Sequence, residues 1–407
     1  MSLLRVFTVL PVIATLAVAT GVSARPPELS LATVIQAGLK QYPETALPDA
    51  LRLQGQAIRD QSSSLLAADP SVYLRHENDA IDNNDGFRKW EGGVAMPLWM
   101  PGQRDKRLRV ADATEQEAEA LVRLQHWRLA GEVRELLWSV AIAAAEVNLA
   151  EQAQASAEKF EADVRHRVAA GELARSEIIV VRKETLSRQA ALATASFKHE
   201  ALLGQYRNLT GLQELPAQFE EAVLTDTSIP DDHPLLSATR VAATRARSER
   251  DQVTSERRGN PTLLLGGQSE RGDSSMSYDN SVILEVSLPL GLRSHSAPAS
   301  AAAERRLTEA NIEVARMRRD LQNKLINARN ETASREQAAE LAAEQLELGE
   351  AGLQLTQRAF ELGESDLFSL LLAHKQALAS RHDARISQLE LGQARAQLNQ
   401  TLGVIPE

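Results

Sequence analysis

Cysteine is absent from the 407-residue sequence. Its absence excludes disulfides, iron–sulfur clusters, thiolate zinc sites and thiol catalysis, and it leaves no residue for a thioether-linked lipid anchor. The 45 basic and 55 acidic residues give a formal net charge of −10. This negative balance argues against a protein that binds nucleic-acid phosphates without regard to sequence.

Long apolar runs are missing beyond the N-terminus. No later stretch approaches the ~18 uninterrupted apolar residues of a membrane-spanning helix, so contact with a bilayer would require a β-barrel or peripheral binding. At the N-terminus, Arg5 precedes an apolar segment over 7–18, and compact residues at 22–24 complete a cleavage site. We therefore expect an exported protein whose signal peptide, residues 1–24, is removed.

Enzyme motifs are missing as well. The sequence contains no GxxxxGK[ST], no GxSxG and no GxGxxG placed between a strand and a helix, so we expect no enzyme and no cofactor. None of its eight histidines stands in an HxxxH or HExxH pattern. Without cysteine or clustered ligands we expect no dedicated metal site, and most histidines should be solvated on helix surfaces.

The sequence is duplicated internally. Five short motifs recur at an offset of 191 or 192 residues, which indicates two copies of one structural unit. The clearest pairs are Met96-Pro97-Leu98 with Leu288-Pro289-Leu290, and Gly171-Glu172 with Gly363-Glu364. The predicted organisation is a signal peptide (1–24), an N-terminal equatorial segment (25–43), repeat 1 (44–211), an equatorial linker (212–232), repeat 2 (233–403) and a short C-terminal tail (404–407).

Each repeat begins with a predicted helix, 44–67 or 235–258, and continues into a β-hairpin, 70–99 or 261–290. Apolar and polar residues alternate along these hairpins, and a stretch rich in Asp, Asn, Gly and Ser interrupts each of them. That pattern predicts strands of about 10–13 residues with one apolar face. The residues expected on this face are Trp90, Val94, Met96, Val282, Leu284 and Val286.

A very long helix follows each hairpin, at about 102–169 and 298–361, and ends at a Gly-Glu pair before a shorter helix, 173–210 or 365–402. In the second long helix, leucines recur every seven residues at Leu341, Leu348, Leu355 and Leu362. That spacing is typical of coiled coils. A helix of about 68 residues would extend ~100 Å, close to the combined length of the two shorter helices.

Four strands cannot close a membrane barrel, for which at least eight are usual. Three copies of the chain would supply twelve strands. The predicted strand length suits a tilted strand that crosses a bilayer, and the alternation suits a barrel with apolar residues outside and polar residues inside. The fold class expected is mainly α with a small β part.

The segments LSLATVIQAGLKQYPE (29–44) and MPLWMPGQRDKR (96–107), the two Gly-Glu pairs and the duplicated helix–hairpin–helix order resemble the TolC-like outer membrane efflux protein family. The resemblance covers nearly the whole chain after residue 24. It implies a homotrimer with a twelve-stranded β-barrel in the outer membrane of a Gram-negative bacterium, continued by an α-helical tunnel in the periplasm. The sequences that begin at Gly171 and Gly363 are similar to the branch that serves heavy-metal resistance pumps of the cobalt–zinc–cadmium type.

The sequence departs from the family pattern in two places. Many relatives carry a lipidated N-terminal cysteine, and this chain has none. The second repeat also lacks the basic run Arg104, Lys106 and Arg107, and has RSHSAPAS at 293–300 instead. Contact with phospholipid headgroups, contact with the lumen and ordinary helix solvation are all open for that basic run.

The resemblance also implies partners: a periplasmic adaptor (membrane fusion) protein, an inner-membrane pump driven by protons, and outer-membrane lipid. It places the periplasmic entrance, the gate and the adaptor contacts at the two helix–turn–helix tips. The tip residues that match the family are Gly171, Glu172, Leu173, Ser176, Glu177, Gly363, Glu364, Asp366, Leu367 and Leu371. For Glu364 and Asp366, an acidic ring at the entrance and N-terminal capping of a helix are both open interpretations.

We therefore expect a passive exit duct of a tripartite efflux system that exports heavy-metal cations. One alternative keeps the duct and changes the cargo to drugs or secreted polypeptides. The other is a periplasmic coiled-coil adaptor or scaffold that never enters a membrane. An adaptor of that kind should carry compact β-domains at the base of its helices rather than amphipathic strands long enough to span a bilayer.

Overall fold

The structure is a computed structural model that describes residues 29–82, 84–222 and 228–406. The predicted signal peptide and residues 223–227 of the predicted linker lie outside the described residues. Within the described ranges, none of the helices is both long and apolar enough to cross a bilayer.

The first half of the chain contains four helices and two strands: α1 (Leu31–Leu39), α2 (Ala46–Ser63), β1 (Ser71–Asn78), β2 (Arg88–Pro97), α3 (Gln103–Ala169) and α4 (Arg175–Thr210). The second half repeats this order without a counterpart of α1: α5 (Pro234–Ser255), β3 (Thr262–Arg271), β4 (Asp279–Ser287), α6 (Arg293–Glu361) and α7 (Leu367–Thr401). The expectation of a mainly helical chain with four strands is confirmed.

Several elements differ in length from their prediction. Helix α2 ends at Ser63 because the Arg104 guanidinium takes the carbonyls of Ser62, Ser63 and Ser64 as acceptors, which terminates the helix. Strands β1 and β4, with 8 and 9 residues, are shorter than the predicted 10–13, whereas β2 and β3 have 10 residues each. Helix α6 begins at Arg293 rather than 298 and tolerates Pro298 near its start, where the missing N–H costs one hydrogen bond.

The elements form a ribbon that is four elements wide at every level. The strands make one antiparallel meander in the order β1-β2-β3-β4. Below the sheet, helix contacts run in the order α2-α3-α5-α6, and further along α3 they run in the order α4-α3-α7-α6. We call β1, α2 and α4 the first edge of the ribbon, and β4 and α6 its second edge.

Near the middle of α3, the short helix α1 packs against α3 and α4. Leu31, Val34 and Ile35 of α1 pack with Val133 of α3 and Tyr206 of α4 in a buried apolar cluster. This is the largest buried cluster among the described residues, and it joins the predicted equatorial segment to α3 and α4.

A buried ion pair fastens the linker to the same region. The Arg134 guanidinium on α3 binds both carboxylate oxygens of Glu221 at 2.6 and 2.7 Å. It also donates to the side chain of Gln400 and, at 3.0 Å, to the carbonyl of Val404. One side chain therefore holds the linker and the end of α7 against α3.

Helices α3 and α7 approach closely where Trp138 covers Gly392. A methyl group added at Gly392 would overlap the Trp138 indole ring, so the close approach depends on glycine. Gly204 on α4 differs, because an added methyl there would meet no atom within 4 Å.

We predict that Gly392→Ala lowers the free energy of unfolding by about 1–3 kcal/mol, since the added methyl group would overlap the buried indole ring of Trp138 and force it to shift. Gly204→Ala is the matched control and should gain roughly 0.5–1 kcal/mol, because glycine inside a helix costs conformational entropy. Thermal and denaturant unfolding of the purified chain measure both. Equal effects of the two substitutions would contradict the close packing of α3 on α7.

Candidate functional site: the helical tips and the two faces of the sheet

The two tips share one backbone geometry. Gly171 and Gly363 both have φ of 80°, a conformation that favours glycine. In the first tip, the amides of Gly171 and Glu172 donate to the carbonyls of Val168 and Arg167. The second tip repeats this pair of bonds at Gly363 and Glu364. Each long helix thus ends in a Schellman motif, which leaves Glu172 and Glu364 exposed just beyond it.

The tips differ in how the following helix begins. The Asp366 carboxylate accepts a hydrogen bond from the Ser369 amide at 2.8 Å and caps α7. The Ser369 side chain and amide hold the pKa of Asp366 below its ordinary value of 3.8. At the matching position of the first tip, Ala174 precedes α4 without a side-chain cap. Of the two interpretations of Asp366, the structure shows the capping contact.

Apolar side chains join the two tips. Leu367 from the second tip packs with Val164 of α3 and Val181 of α4 in a buried cluster, and Leu173 and Phe160 lie against it. Leu371 lines the adjoining cleft between α3, α4 and α7. The structure therefore brings Leu173 of the first tip close to Leu367 and Leu371 of the second tip, although the two tips are almost 200 residues apart in sequence.

The remaining predicted tip residues lie outside this cluster. Ser176 is exposed and Glu177 is half-buried in the first turn of α4. A carboxylate is favourable in that turn because the amides at a helix start carry partial positive charge.

An ionic link connects the two repeats just behind the tips. The Glu184 carboxylate on α4 lies 2.8 Å from Lys375 Nζ on α7 and 2.7 Å from a guanidinium nitrogen of Arg188. Burial opposes ionisation of Glu184, but the hydrogen bonds from Lys375 and Arg188 outweigh it and keep the pKa below its ordinary value of 4.5. Sequence analysis missed this link, because no pattern in either helix indicates which residues face each other across the repeats.

The register of the sheet gives it one apolar face. Val72, Val94, Leu265 and Leu284 are direct neighbours across the four strands. Directly paired residues share a face, and so do alternate residues of one strand. By this register, all six predicted residues lie on the same face: Trp90, Val94, Met96, Val282, Leu284 and Val286. Val282 is 87% exposed, so nothing in the single chain covers its end of the face.

The opposite face is polar and charged. Lys89 lies 2.5 Å from Glu91 and 4.0 Å from Glu270, and Arg75 pairs with Glu77. Tyr73 occupies the same face at the position where glycines of β2 and β3 lie side by side, so its ring lies close to the backbone. The two faces of the sheet therefore differ in polarity.

Histidine is not concentrated at the tips or on the sheet. Among the described residues, no three His, Asp or Glu side chains are grouped so that they could hold a metal ion. His374 on α7 packs beside Phe160, with ring centroids 5.6 Å apart, and burial lowers its pKa.

We predict that Asp366→Ala speeds hydrogen–deuterium exchange at the first turn of α7 roughly fivefold, because the capping bond is lost. Ala174→Asp should slow exchange at the first turn of α4. The cap of the native chain is present above pH 3.8 and is lost as the pH falls through the lowered pKa of Asp366. Unchanged exchange in both variants would contradict the capping geometry.

No protein-family model and no curated protein matches this sequence. Solved structures do match its fold. A membrane protein from Pseudomonas aeruginosa superposes with a TM-score of 0.73 at 15% identity, over 92% of this chain and 93% of that one. The CmeC outer membrane channel of Campylobacter jejuni gives 0.71 at 15% identity, over 92% and 85%.

The MtrE outer membrane channel of Neisseria gonorrhoeae, solved in its open state, gives a TM-score of 0.69 at 17% identity, over 92% of this chain and 88% of that one. At such identities the likeness establishes the fold alone. The chain has the fold of these outer-membrane channels along almost its whole length.

Proposed function

We propose that the chain is the outer-membrane exit duct of a tripartite efflux system. Three copies would form a twelve-stranded barrel in the outer membrane and a helical tunnel in the periplasm. The duct is passive, and an inner-membrane pump driven by protons would supply the energy. The observation that carries this proposal is that both edges of the ribbon lack a neighbouring element in the described chain, in the sheet as well as in the helical part.

The sheet shows the uncovered edges most directly. In the described chain, β1 pairs only with β2, and β4 pairs only with β3. A strand in hydrocarbon cannot leave its outer N–H and C=O groups unpaired. If β1 of one copy pairs with β4 of the next, every strand is satisfied and the sheet closes.

The helices of the same two edges carry matching apolar stripes. Leu341, Leu348, Leu355 and Leu362 recur every seven residues along α6, and they are 52–73% exposed. The predicted coiled-coil seam is therefore not covered within the chain. On the first edge, α4 exposes Ile179, Leu186 and Phe197 at spacings that keep one helix face. Contact of α6 with α4 of the next copy would bury both stripes in a closed ring.

The difference in polarity between the two faces of the sheet supports the proposed location in the outer membrane. The apolar face, with Trp90, Val94, Met96, Val282, Leu284 and Val286, would contact lipid. The charged face would line the lumen. An adaptor or scaffold would instead need compact β-domains at this end of the helices, and a single open sheet stands there.

The tips are proposed as the periplasmic entrance and the adaptor contact. Glu172 and Glu364 are exposed and would form acidic rings in the trimer, which attract cations. The Glu184–Lys375 link holds the second tip against the first, so it would keep the entrance narrow until an adaptor docks.

For the cargo we propose heavy-metal cations, on the similarity of the tip sequences to the heavy-metal branch and on the exposed carboxylates. Deletion of the gene should then lower tolerance of cobalt, zinc or cadmium. Loss of drug tolerance alone would assign the duct to drugs, and loss of a secreted polypeptide would assign it to secretion.

Membrane fractionation tests the proposed location. The protein should remain with outer membranes through washes with high salt, and it should be released only by detergent. Cross-linking in cells should attach an adaptor and a pump to the tips. Recovery in the soluble periplasmic fraction without detergent would overturn the proposal.

We predict that Lys375→Met raises the conductance of the purified protein in planar bilayers severalfold, because one partner of the link between the tips is gone. Lys183→Met is the matched control, since Lys183 is exposed and lies next to Glu184 in sequence. On the acid side, the contribution of Glu184 to the link is fully present down to pH 4.5 and is lost as the pH falls further, through the lowered pKa of Glu184. Equal conductance of both variants would exclude a gating role for Lys375.

A further inference from the structure

Two loops meet at the end of the sheet where its strands join the helices. Gly291, between β4 and α6, lies so close to the loop before β3 that an added methyl would stand 2.6 Å from Arg258 Cα and 2.9 Å from the Arg257 carbonyl. Arg293 follows two residues later as the first residue of α6. Three arginines from two separate stretches of sequence thus lie at one corner of the ribbon.

These three arginines carry uncompensated charge. All are exposed, and in the described part of the chain no carboxylate pairs with Arg257, Arg258 or Arg293. Arg257 donates only to the Ser300 hydroxyl, at 3.2 Å. The first turn of α6 contains no acidic residue to offset the charge.

The basic run of the first repeat is different. Arg107 pairs with Glu256 at 2.7 Å, Lys106 lies 3.5 Å from Asp251, and Arg104 is taken up by backbone carbonyls. The basic residues that stand out in the sequence are therefore occupied. The second repeat, which has no counterpart of the run at 104–107, contributes the three unpaired arginines of this corner.

Exposed apolar residues lie beside the three arginines. Leu288, Leu290 and Leu292 continue the two-residue spacing of Val282, Leu284 and Val286 beyond the end of β4, and Leu290 is 85% exposed. Between β2 and α3, Trp99 donates its indole N–H to the Ser64 carbonyl at 3.0 Å, next to the exposed Leu65. The last strand of the sheet is therefore followed by three exposed leucines and then by Arg293.

We infer that Arg257, Arg258 and Arg293 bind the phosphate groups of anionic phospholipids in the periplasmic leaflet. This inference rests on the proposed function, because it places the sheet in the bilayer. Exposed leucines that follow a proposed lipid-facing strand and lie beside unpaired cations match a leaflet in both polarity and charge. A soluble anion would match the charge and leave Leu288, Leu290 and Leu292 uncovered.

The contact sets the level of the sheet in the membrane. The leucine row reaches the acyl chains, and the arginines lie at the headgroups, so vertical movement of the sheet would either bury charge or expose leucine. In a trimer, three such corners would surround the base of the barrel.

The test uses the full chain reconstituted in vesicles that contain either brominated phosphatidylglycerol or brominated phosphatidylcholine. Quenching of tryptophan fluorescence reports lipid contact, and Trp99 lies at the relevant level. The native protein should prefer the anionic lipid at least about fivefold at low salt, and the preference should fall as salt is raised. The triple variant R257Q/R258Q/R293Q should show no preference, whereas R257K/R258K/R293K should retain it.

The matched control is R306Q/R319Q/R358Q, which removes three exposed arginines of α6 that have no carboxylate partner in the described chain. It should behave like the native protein. A glutamine variant that keeps the native preference, or a control that loses it equally, would overturn the inference. Competition by inorganic phosphate at millimolar concentration would also overturn it, because the site would then bind a free anion.

Failure of the headgroup contact and failure of the proposed function give different results in this experiment. If brominated phosphatidylcholine does not quench the native protein at all, the chain does not enter bilayers and the proposed function fails. If both lipids quench it equally, the chain enters bilayers and only the headgroup inference fails.

Discussion

The rest of the structure depends on a ribbon that is four elements wide and whose two edges need partners. Strands β1 and β4 each have one unpaired side, and the stripe on α6 has the spacing of a coiled coil without a partner in the chain. A single chain with these edges would expose backbone groups that lipid cannot solvate and leucines that water does not favour. Contact between the first edge of one copy and the second edge of the next would pair the backbone groups and bury the leucines, and the same contact would repeat around a closed ring.

Helix α3 connects the parts of the ribbon from the sheet to the tips. It contacts α2 and α5 near the sheet, α1 at mid-length, and α4 and α7 towards the tips. Its 67 residues correspond to a length of about 100 Å. The buried Arg134–Glu221 pair and the contact of Trp138 with Gly392 fix its neighbours at mid-length. Changes at the tips can therefore occur without loss of the sheet.

Much of this fold could be predicted because it depends on local patterns. Glycine followed by glutamate marks both helix reversals, and alternation along 88–97 and 279–287 places the apolar residues on one face. Contacts between distant segments could not be predicted. Arg104 shortens α2 through carbonyls some forty residues away, and Glu184 meets Lys375 across the two repeats. Such pairs depend on the tertiary register of long helices, which single-sequence periodicity does not specify.

The duplicated halves have diverged where function is proposed. Asp366 caps the second tip and Ala174 leaves the first uncapped, while Arg257, Arg258 and Arg293, at the base of the second hairpin, have no carboxylate partner in the described chain. If the proposals hold, the uncapped first tip would loosen before the second, and the corner at Arg257, Arg258 and Arg293 would bind the leaflet more strongly than the matching corner of the first repeat.

The most direct test of the account is the mass of the detergent-solubilised protein, measured by native mass spectrometry. The account predicts a complex of three chains that dissociates when Leu348 and Leu355 on the second edge are both changed to aspartate. A stable single chain in detergent, or a complex unaffected by these substitutions, would contradict closure of the ribbon through its edges.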